Sequence, residues 1–360
     1  MLLASPVAAQ NLNVDIGLNT VFPVPASTYG AAAAQPGVWN GVSGAVVGPV
    51  ALSGLSGSPS GVNLSRAGSS GNFAHDNAGT LGEDDSLMDD CQDLGGAGSS
   101  SSWTFTGLAN GAYQVFTYAW APDDGTYRTN VSVAGSADPV QTLGGDWPGS
   151  HVLGTTYAVH NVTVTSGTIV VTATTADDPV FGFGSLNGIQ IKGVLPPPSI
   201  TPFCFGDGTS GACPCGNAGQ TGKGCENSIA TGGAHLTASG TPLLSADNVV
   251  LNVTGERPTS LTIFLQGMNS ISPVTFGDGL RCFDGSLKRL YTKAASGGAS
   301  SGPALGDPSI SARSAALSDP IAPGATRYYN TYYRDGNPTF CPEPTGSAFN
   351  SSNGLTILWN

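Results

Sequence analysis

Residues 10–192 are dominated by short runs in which hydrophobic and polar positions alternate, with glycine-rich turns between the runs. In the run at residues 111–120, aromatic and β-branched residues occupy both alternating faces: Tyr113, Val115 and Thr117 lie on one face, and Phe116, Tyr118 and Trp120 lie on the other. Strands that are covered on both sides show this pattern. We therefore predict that residues 111–120 form a central strand.

Further strands follow from the same pattern, and their spacing indicates the fold. The runs are residues 13–16, 46–52, 62–66, 102–106, 128–133 and 185–192. Residues 158–165 and 168–174 flank Ser166 and Gly167, which predicts a tight β-hairpin. Eight or nine short strands at this spacing favour a sandwich or jelly roll, so we expect an all-β fold.

The acidic segment, defined here as residues 83–94, interrupts the strand pattern. Its sequence is EDDSLMDDCQDL, and the following Gly95 and Gly96 are a helix-stop signal. We expect either a short helix or an ordered acidic loop. Its Cys91 is the odd cysteine of the chain, and is either free and buried, bridged to another chain, or paired across domains.

A proline-rich linker at residues 193–201 divides the chain into a first domain, residues 10–192, and a second domain, residues 202–360. Three consecutive prolines cannot join a sheet and favour an extended, stiff spacer. Strand patterns return in the second domain at residues 234–238, 249–253, 261–266, 287–292, 326–333 and 355–359. We therefore expect two separately folded, sandwich-like or jelly-roll-like β-domains.

The second domain contains six cysteines: Cys204, Cys213, Cys215, Cys225, Cys282 and Cys341. An even number of cysteines in a glycine-rich domain of secreted type favours three disulfide bonds, although the sequence leaves their connectivity open. Cys213 and Cys215 lie too close to pair with each other. We expect bridges within residues 204–225 and one bridge between Cys282 and Cys341. A zinc site built from four thiolates is the alternative, but the C-x2-C spacing is absent.

Composition and charge narrow the function classes. Charged residues make up 10% of the chain, and 52 of the 360 residues are glycine, a composition that favours strands and turns over helices. The net charge is −12, with 14 acidic and 3 basic residues in positions 1–192. Such an acidic body repels phosphate groups, which argues against nucleic-acid binding. No apolar run is long enough to span a membrane.

The acidic segment is also the candidate metal site. Hard oxygen ligands at this density suit Ca²⁺, which is the one cofactor that the sequence suggests. The candidate ligands are Glu83, Asp84, Asp85, Asp89 and Asp90. A solvated acidic loop is the alternative. Asp123 and Asp124 form a second acidic pair, which either supplies ligands or belongs to a turn.

Glycan binding is predicted for the first domain. Flat aromatic rings bind the apolar face of a sugar, and amides and carboxylates bind its hydroxyl groups. Trp147 and Asp146 lie in the glycine-rich loop GGDWPGS, and together with Trp39 they are the candidate glycan-binding residues. Packing of the tryptophans at the edge of the core is the alternative.

Motifs of catalysis are absent from the sequence. It contains no G-x-S-x-G elbow, HExxH, Walker loop or dinucleotide fingerprint, and its carboxylates show no clear acid–base pair. We therefore expect no enzyme activity and predict no catalytic residue. Residues 1–9, MLLASPVAA, are similar to the end of a secretory signal with cleavage before Gln10, which together with the cysteines predicts secretion.

Two parts of this chain each resemble a known protein family. The pattern FGDG…CPCGN…G-x-GC-x-NS, a second FGDGLRC, the tyrosine-rich YYNTYYRD and FNSSNGLTILW are similar to a C-terminal cysteine-rich module of secreted planctomycete-type bacterial proteins. That resemblance covers residues 203–359. The segments GAAAAQPGVWN, FTGLANGAYQVFTYAW and LNGIQI resemble galactose-binding-like jelly rolls. Neither resemblance implies a reaction or catalytic residues.

These patterns predict a secreted, non-catalytic structural or adhesive protein of the extracellular or cell-surface layer. Its partners would be a glycan, bound by the first domain, or neighbouring subunits of the same protein. Weakly charged surfaces with exposed strand edges favour self-assembly into a sheath, matrix or filament. The alternatives are a soluble carbohydrate-binding protein and a glycan-degrading enzyme with an unrecognised site.

Overall fold

A computed structural model of the chain describes residues 10–18, 20–176, 182–337, 339–341 and 347–360. The signal-like residues 1–9 lie outside the described residues. The chain divides into two compact units, residues 1–194 and 195–360. Strands and turns make up nearly all of the described chain, so the all-β prediction is confirmed. Among the described residues, neither helix has the length and apolar character needed to cross a bilayer.

The first unit is a β-sandwich. Its described elements are β1 (Leu12–Ile16), β2 (Trp39–Val42), β3 (Val50–Ser53), β4 (Pro59–Gly68), β5 (Phe73–Ala74), α1 (Glu83–Met88), β6 (Asp90–Gly95), β7 (Ser100–Thr106), β8 (Gly111–Tyr118), β9 (Thr129–Val133), β10 (Gln141–Leu143), β11 (Tyr157–Val164), β12 (Thr168–Thr175), β13 (Gly184–Leu186) and β14 (Gly188–Val194). Five strands form one sheet in the order β11-β8-β14-β1-β2. Six strands form the second sheet in the order β10-β9-β12-β7-β4-β3, and a small sheet has the order β13-β6-β5.

The main core of the first unit joins the inner faces of the two large sheets. Val115 and Ile189 from the five-stranded sheet and Trp103 and Val171 from the six-stranded sheet are all fully buried members of one apolar cluster. Every second residue of a strand points to the same face of the sheet. A strand in which polar and apolar residues alternate therefore directs all its apolar side chains into this core. The sandwich therefore follows from the alternating pattern.

Strand β8 is buried on both faces, as the sequence predicts. Tyr113 and Val115 belong to the core between the sheets. Phe116, Tyr118 and Trp120, which point the other way, form a second apolar cluster on the outer face of the five-stranded sheet. Loops cover this outer face, which explains why its aromatic residues are buried.

The predicted hairpin at Ser166 and Gly167 is wrong. Strand β11 pairs with β8 in the five-stranded sheet, whereas β12 pairs with β7 and β9 in the six-stranded sheet. The turn therefore connects the two sheets. Both strands bury alternate apolar residues in the same core, and placing them face to face buries both sets at once.

The acidic segment divides into two elements. Helix α1 ends at Met88, with Asp89 as its C-cap, and β6 follows directly and ends at Gly95, whose φ is +87°. A short helix is therefore confirmed for the first half only. The helix-stop interpretation of Gly95 and Gly96 is wrong, because the alternating pattern of Cys91, Gln92 and Asp93 continues the chain as a strand.

The second unit contains a larger sheet and two small ones. Its described elements are β15 (Ser199–Phe203), β16 (His235–Ser239), β17 (Val250–Thr254), β18 (Leu261–Gly267), β19 (Asn269–Phe276), β20 (Gly279–Asp284), β21 (Lys288–Ala294), β22 (Ser300–Gly302), α2 (Ile310–Ala316), β23 (Thr326–Arg334), β24 (Phe349–Ser351) and β25 (Gly354–Leu358). The larger sheet has the order β15-β25-β23-β18-β21, with β24 beside β23. The small sheets are β16-β17-β22 and β19-β20.

The strands extend into the predicted linker. Strand β14 ends at Val194 and β15 begins at Ser199, so only residues 195–198 of the predicted segment lie outside strands. Pro196–Pro198 fall within this short connection, in agreement with the inability of proline to donate a ladder hydrogen bond.

Three disulfide bonds join the six cysteines of the second unit, as predicted. The pairs are Cys204–Cys282, Cys213–Cys225 and Cys215–Cys341. The expected Cys282–Cys341 bridge is wrong, and only one bridge remains within residues 204–225. Strand β20 places Cys282 in a buried cluster with Cys204, Cys213 and Cys225, a proximity that sequence spacing does not reveal. A zinc site is excluded for these thiols, and Cys91 is free and buried.

Candidate functional site

A small cavity of the first unit combines aromatic rings, carboxylates and a hydroxyl group. Its volume is about 170 Å³. The lining residues are Phe73, Asp93, Asp123, Tyr127, Phe183 and Ser185. We call this cavity the β6 pocket, because β6 runs beneath it.

The floor of the β6 pocket is one face of the three-stranded sheet. Ser185 of β13 pairs with Asp93 of β6, and Phe73 of β5 pairs with Cys91. Cys91 and Asp93 are two positions apart on β6, so they and their cross-strand partners point to the same face. This register explains why residues that are distant in sequence line one cavity.

Two aromatic rings form the wall of the β6 pocket. The ring centroids of Tyr127 and Phe183 are 5.5 Å apart, with 55° between their planes. Phe183 is 41% exposed although it is a large apolar side chain. Tyr127 and the exposed Asp123 come from the loop between β8 and β9. The rings and the carboxylate therefore border the opening of the cavity.

The neighbouring Asp124 has a separate, local role. Its carboxylate accepts hydrogen bonds from the backbone and the side chain of Thr126, at 2.8 and 2.7 Å. This is an Asx-type turn. Asp124 therefore closes a turn, which was one of the two alternatives, and Asp123 lines the pocket. A ligand role for the pair stays a prediction.

Tyr127 in the β6 pocket and Cys91 on the neighbouring strand β6 both have raised pKa values. Burial and the neighbouring carboxylates, Asp123 foremost, raise the pKa of Tyr127, so its hydroxyl stays protonated at neutral pH. Burial raises the pKa of the Cys91 thiol far above its usual value, and the contact with Ser185 offsets this only in part. Because the thiolate is the nucleophile, this shift makes Cys91 a poor nucleophile at neutral pH.

The glycan-binding residues predicted from the sequence lie elsewhere in the unit. Trp39 is only 5% exposed, and its indole N–H donates to the carbonyl of Tyr29 at 3.0 Å. Trp147 is half-buried and packs edge-on against Trp120, with ring centroids 5.1 Å apart. Asp146 is exposed. Both tryptophans pack in the outer aromatic cluster on β8, and glycan binding at Trp39, Asp146 and Trp147 stays a prediction.

Three polar side chains, those of Tyr29, Asp84 and His151, contact one another inside this outer aromatic cluster. The Tyr29 hydroxyl donates to Asp84 and is 2.7 Å from Nε2 of His151, which is itself 3.3 Å from Asp84 Oδ1. Burial raises the pKa of Asp84, but the hydrogen bonds from His151 and Tyr29 outweigh burial and lower it overall. His151 is only 10% exposed. Tyr29, Asp84 and Nε2 of His151 therefore form one polar cluster beneath the aromatic rings, while Nδ1 of His151 has no partner among the described residues.

The five predicted calcium ligands do not form one site. Glu83 accepts a hydrogen bond from the backbone N–H of Ala26 at 2.6 Å, Asp84 binds Tyr29, and the Asp90 carboxylate is directed toward Gly17. The segment changes from helix to strand, and its carboxylates therefore leave in different directions.

Of the five predicted calcium ligands, only Asp85 of α1 and its C-cap residue Asp89 lie together. Asp76 lies beside them, and we call these three residues the acidic triad. One oxygen from each of the three lies within 4.8 Å of the others. Asp89 already accepts hydrogen bonds from the Asn77 backbone N–H and the Thr80 hydroxyl, at 2.7 and 2.8 Å. Burial, and more weakly Asp85, raise the pKa of Asp89 to about 6. Calcium binding at this acidic triad stays a prediction.

Comparisons with known proteins identify no family. No protein-family model matches the chain, and no curated protein sequence matches it. Among solved structures, the chain is similar to the YxiM protein of Bacillus subtilis, with a TM-score of 0.29 and 16% identity over 51% of this chain and 40% of that one. It is similar to a Paenibacillus xanthan lyase, with a TM-score of 0.29 and 12% identity over 85% of this chain and 28% of that one.

A third similar structure is the plant receptor-like kinase FER, with a TM-score of 0.29 and 11% identity over 97% of this chain and 96% of that one. The chain therefore spans less than half the length of the first two structures that it matches. Likenesses of this size carry no argument about function, which must come from the site itself.

The β6 pocket is the site that the sequence patterns miss. Phe73 and Phe183 are isolated phenylalanines outside long strand patterns, and nothing in the sequence brings them together. The acidic patterns of the sequence contain two of the lining residues, Asp93 in the acidic segment and Asp123 in an acidic pair, but they do not reveal the pocket. The pairing of β6 with β5 and β13 assembles the site, and such pairings are not encoded in local spacing.

Proposed function

We propose that this chain is an extracellular, non-catalytic glycan-binding protein and that the β6 pocket binds a sugar. The observation that carries the proposal is the Tyr127–Phe183 ring pair, at 5.5 Å, beside the carboxylates of Asp93 and Asp123. Aromatic faces bind the C–H face of a sugar ring, and carboxylate oxygens accept hydrogen bonds from its hydroxyl groups. A large exposed ring such as Phe183 is explained by such a ligand.

The volume of the β6 pocket favours a small ligand. Pockets for drug-sized ligands enclose roughly 300–1,000 Å³, whereas this cavity has about 170 Å³. It therefore suits a single sugar ring, such as the end or one branch of a polysaccharide. A neutral sugar fits best, because the pocket carries two carboxylates and the described residues that line it include no basic side chain.

Three disulfide bonds support the extracellular location, because such bonds persist in oxidising compartments. Cys91, the cross-strand partner of the lining residue Phe73, is fully buried and its pKa is raised, which supports binding without covalent catalysis. The disulfide-bonded second unit would then serve as a durable structural part of the protein. The chemical identity of the sugar is left to experiment.

Affinity electrophoresis and calorimetry of the full chain against a panel of neutral polysaccharides test this function. We expect Tyr127→Ala and Phe183→Ala each to weaken binding by at least about tenfold, since one aromatic contact contributes roughly 0.5–1.5 kcal/mol beyond its buried area. Asp123→Asn should weaken binding less, because an amide still accepts a hydrogen bond.

Trp147→Ala is the matched control, because Trp147 is a half-buried aromatic residue of the same unit but lies outside the β6 pocket. Retained binding in this variant supports the proposal. Loss of binding in Trp147→Ala with retention in Phe183→Ala would move the site to the outer aromatic cluster. Release of reducing ends from a polysaccharide would favour an enzyme instead.

The outer strands of the second unit argue against self-assembly into a sheath or filament by strand addition. The outer strands of its larger sheet are β15 and β21. Pro202 lies in β15, and Lys288 and Lys293 lie in β21. Proline and lysine on outer strands oppose the addition of another strand. Assembly stays a prediction, which light scattering of the purified chain checks.

A further inference from the structure

Two carboxylates of the first unit are buried without the partners that such groups need. Asp15 and Asp90 each have 0% of their surface exposed. Among the described residues, no hydrogen-bond partner reaches either oxygen of Asp15, and neither oxygen of Asp90 makes a hydrogen bond of normal geometry. Neither residue belongs to the β6 pocket or to the acidic triad.

The backbone places the two carboxylates side by side. Leu12, Val14 and Ile16 of β1 point into the main core, so Asp15 points to the opposite, outer face. Gly17 points the same way as Asp15, and a Cβ atom on Gly17 would overlap the carboxylate of Asp90. The Asp90 carboxylate therefore fills the space over Gly17, next to Asp15.

The strands that flank Asp15 provide no compensating side chain. Its cross-strand partners are Gly188 in β14 and Gly41 in β2. Glycine has no side chain with which to donate a hydrogen bond or carry a positive charge. The position of Asp90 is itself fixed, because the side chain of Asn187 donates to the Asp90 carbonyl at 3.0 Å.

An isolated buried carboxylate costs so much free energy that it takes up a proton, binds a cation or finds a partner. Burial, followed by the charge of Asp90, raises the pKa of Asp15 well above its usual value. Burial raises the pKa of Asp90 to about 7, and the Leu18 backbone N–H opposes this shift. A cation between the two groups would compensate both buried, unpartnered carboxylates at once.

We propose that Asp15 and Asp90 bind one buried divalent cation of the Ca²⁺ type between β1 and β6. Both ligands are hard carboxylate oxygens, the class of donor that Ca²⁺ prefers. Two carboxylates supply up to about four of its roughly six to eight ligands. The cation would neutralise the pair and fix the start of β6.

Calcium binding to the full chain tests the site. The purified protein is stripped with EDTA and titrated with CaCl₂, with native mass spectrometry to count the ions and scanning calorimetry to follow unfolding. We expect one ion at this site. When the calcium concentration is about a hundredfold above Kd, the first unit should unfold at a temperature about 5–10 °C higher than in EDTA.

Two variants locate the ion. Asp15→Asn should lower the number of bound ions by one or weaken binding by at least about tenfold, and in EDTA it should unfold no earlier than the wild type because it removes a buried repulsion. Asp89→Asn, in the acidic triad, is the matched control and should keep the ion. If Asp15→Asn does not fold, Asp90→Asn replaces it.

Three outcomes would overturn the proposal. One is a wild type that binds no calcium and loses stability as the pH rises through about 7, which would indicate a shared proton. Another is loss of the ion in Asp89→Asn with retention in Asp15→Asn, which would place it in the acidic triad. The third is an unchanged unfolding temperature in calcium and in EDTA.

Discussion

Buried amide side chains attach the covering loops to the outer face of the five-stranded sheet. Asn187 accepts a hydrogen bond from the Trp120 backbone N–H at 2.7 Å and donates to the carbonyls of Met88 and Asp90, at 2.9 and 3.0 Å. An amide has both donors and acceptors, and can satisfy several buried backbone groups without the desolvation cost of a charge. One uncharged residue therefore links β8, α1 and β6.

Glu256 in the second unit is a buried carboxylate with an incomplete set of partners. It is 1% exposed, and its Oε2 accepts hydrogen bonds from Thr262 and Ser300 at 2.7 and 3.2 Å. Its Oε1 has no partner among the described residues. Burial outweighs these hydrogen bonds and raises the pKa of Glu256 from 4.5 to about 7.

Glu256→Gln should remove a pH dependence from the stability of the second unit. Between pH 4.5 and about 7 the unfolded glutamate is ionised and the folded one is protonated, so stability is fully present below pH 4.5 and falls as the pH rises through 7. The loss amounts to about 3 kcal/mol, and the glutamine variant lacks it.

Urea unfolding of both proteins between pH 4 and 8 measures this difference. The free energy of unfolding of the wild type, relative to the variant, should decline across that range. Parallel pH curves for the two proteins would show that Glu256 does not change its protonation on folding.

The sequence identifies individual strands better than their partners. The pattern at residues 111–120 predicted β8 and its two buried faces, because alternation is a local property. The runs that became β11 and β12 were also predicted, but their pairing was wrong. Ser166 and Gly167 permit a hairpin or a connection between sheets, and only the shared core decides between them. The β6 pocket was missed for the same reason.

Helix α2 illustrates a local signal that the strand patterns obscure. It spans Ile310–Ala316, and its N-cap Ser309 accepts a hydrogen bond from the Ala312 backbone N–H. The hydroxyl of Ser309 also donates to Asp247. Serine at this position is a strong helix-start signal. The high glycine content of the chain favoured strands and turns over helices.

Ser309→Ala should destabilise the second unit by about 1–2 kcal/mol, because it removes the cap of α2 and the hydrogen bond to Asp247. Denaturant unfolding of the variant and the wild type measures the change. Ser239→Ala is the control, since Ser239 is exposed in β16, and its substitution should change stability by less than about 0.5 kcal/mol. Equal effects of the two substitutions would contradict the role of the cap.

The two compact units differ in charge and in the means of their stabilisation. Residues 1–192 contain 14 acidic and 3 basic residues, and residues 193–360 contain 10 and 9. The first unit has a large apolar core between two sheets and a second apolar cluster on the outer face of one of them. The second unit has a smaller apolar core and three covalent bridges. A reducing agent should therefore change the stability of the second unit and not that of the first.

Reduction should lower the unfolding temperature of the second unit and leave the first unit unchanged. The bridges join cysteines that are 78, 12 and 126 residues apart, and bridges of such spans each stabilise a fold by roughly 3–5 kcal/mol by restricting the unfolded chain. The first unit contains only Cys91, which is free. Scanning calorimetry with and without a phosphine reductant measures both transitions. Two transitions of which one moves would show that the units unfold separately, whereas a single shifted transition would show that they unfold together.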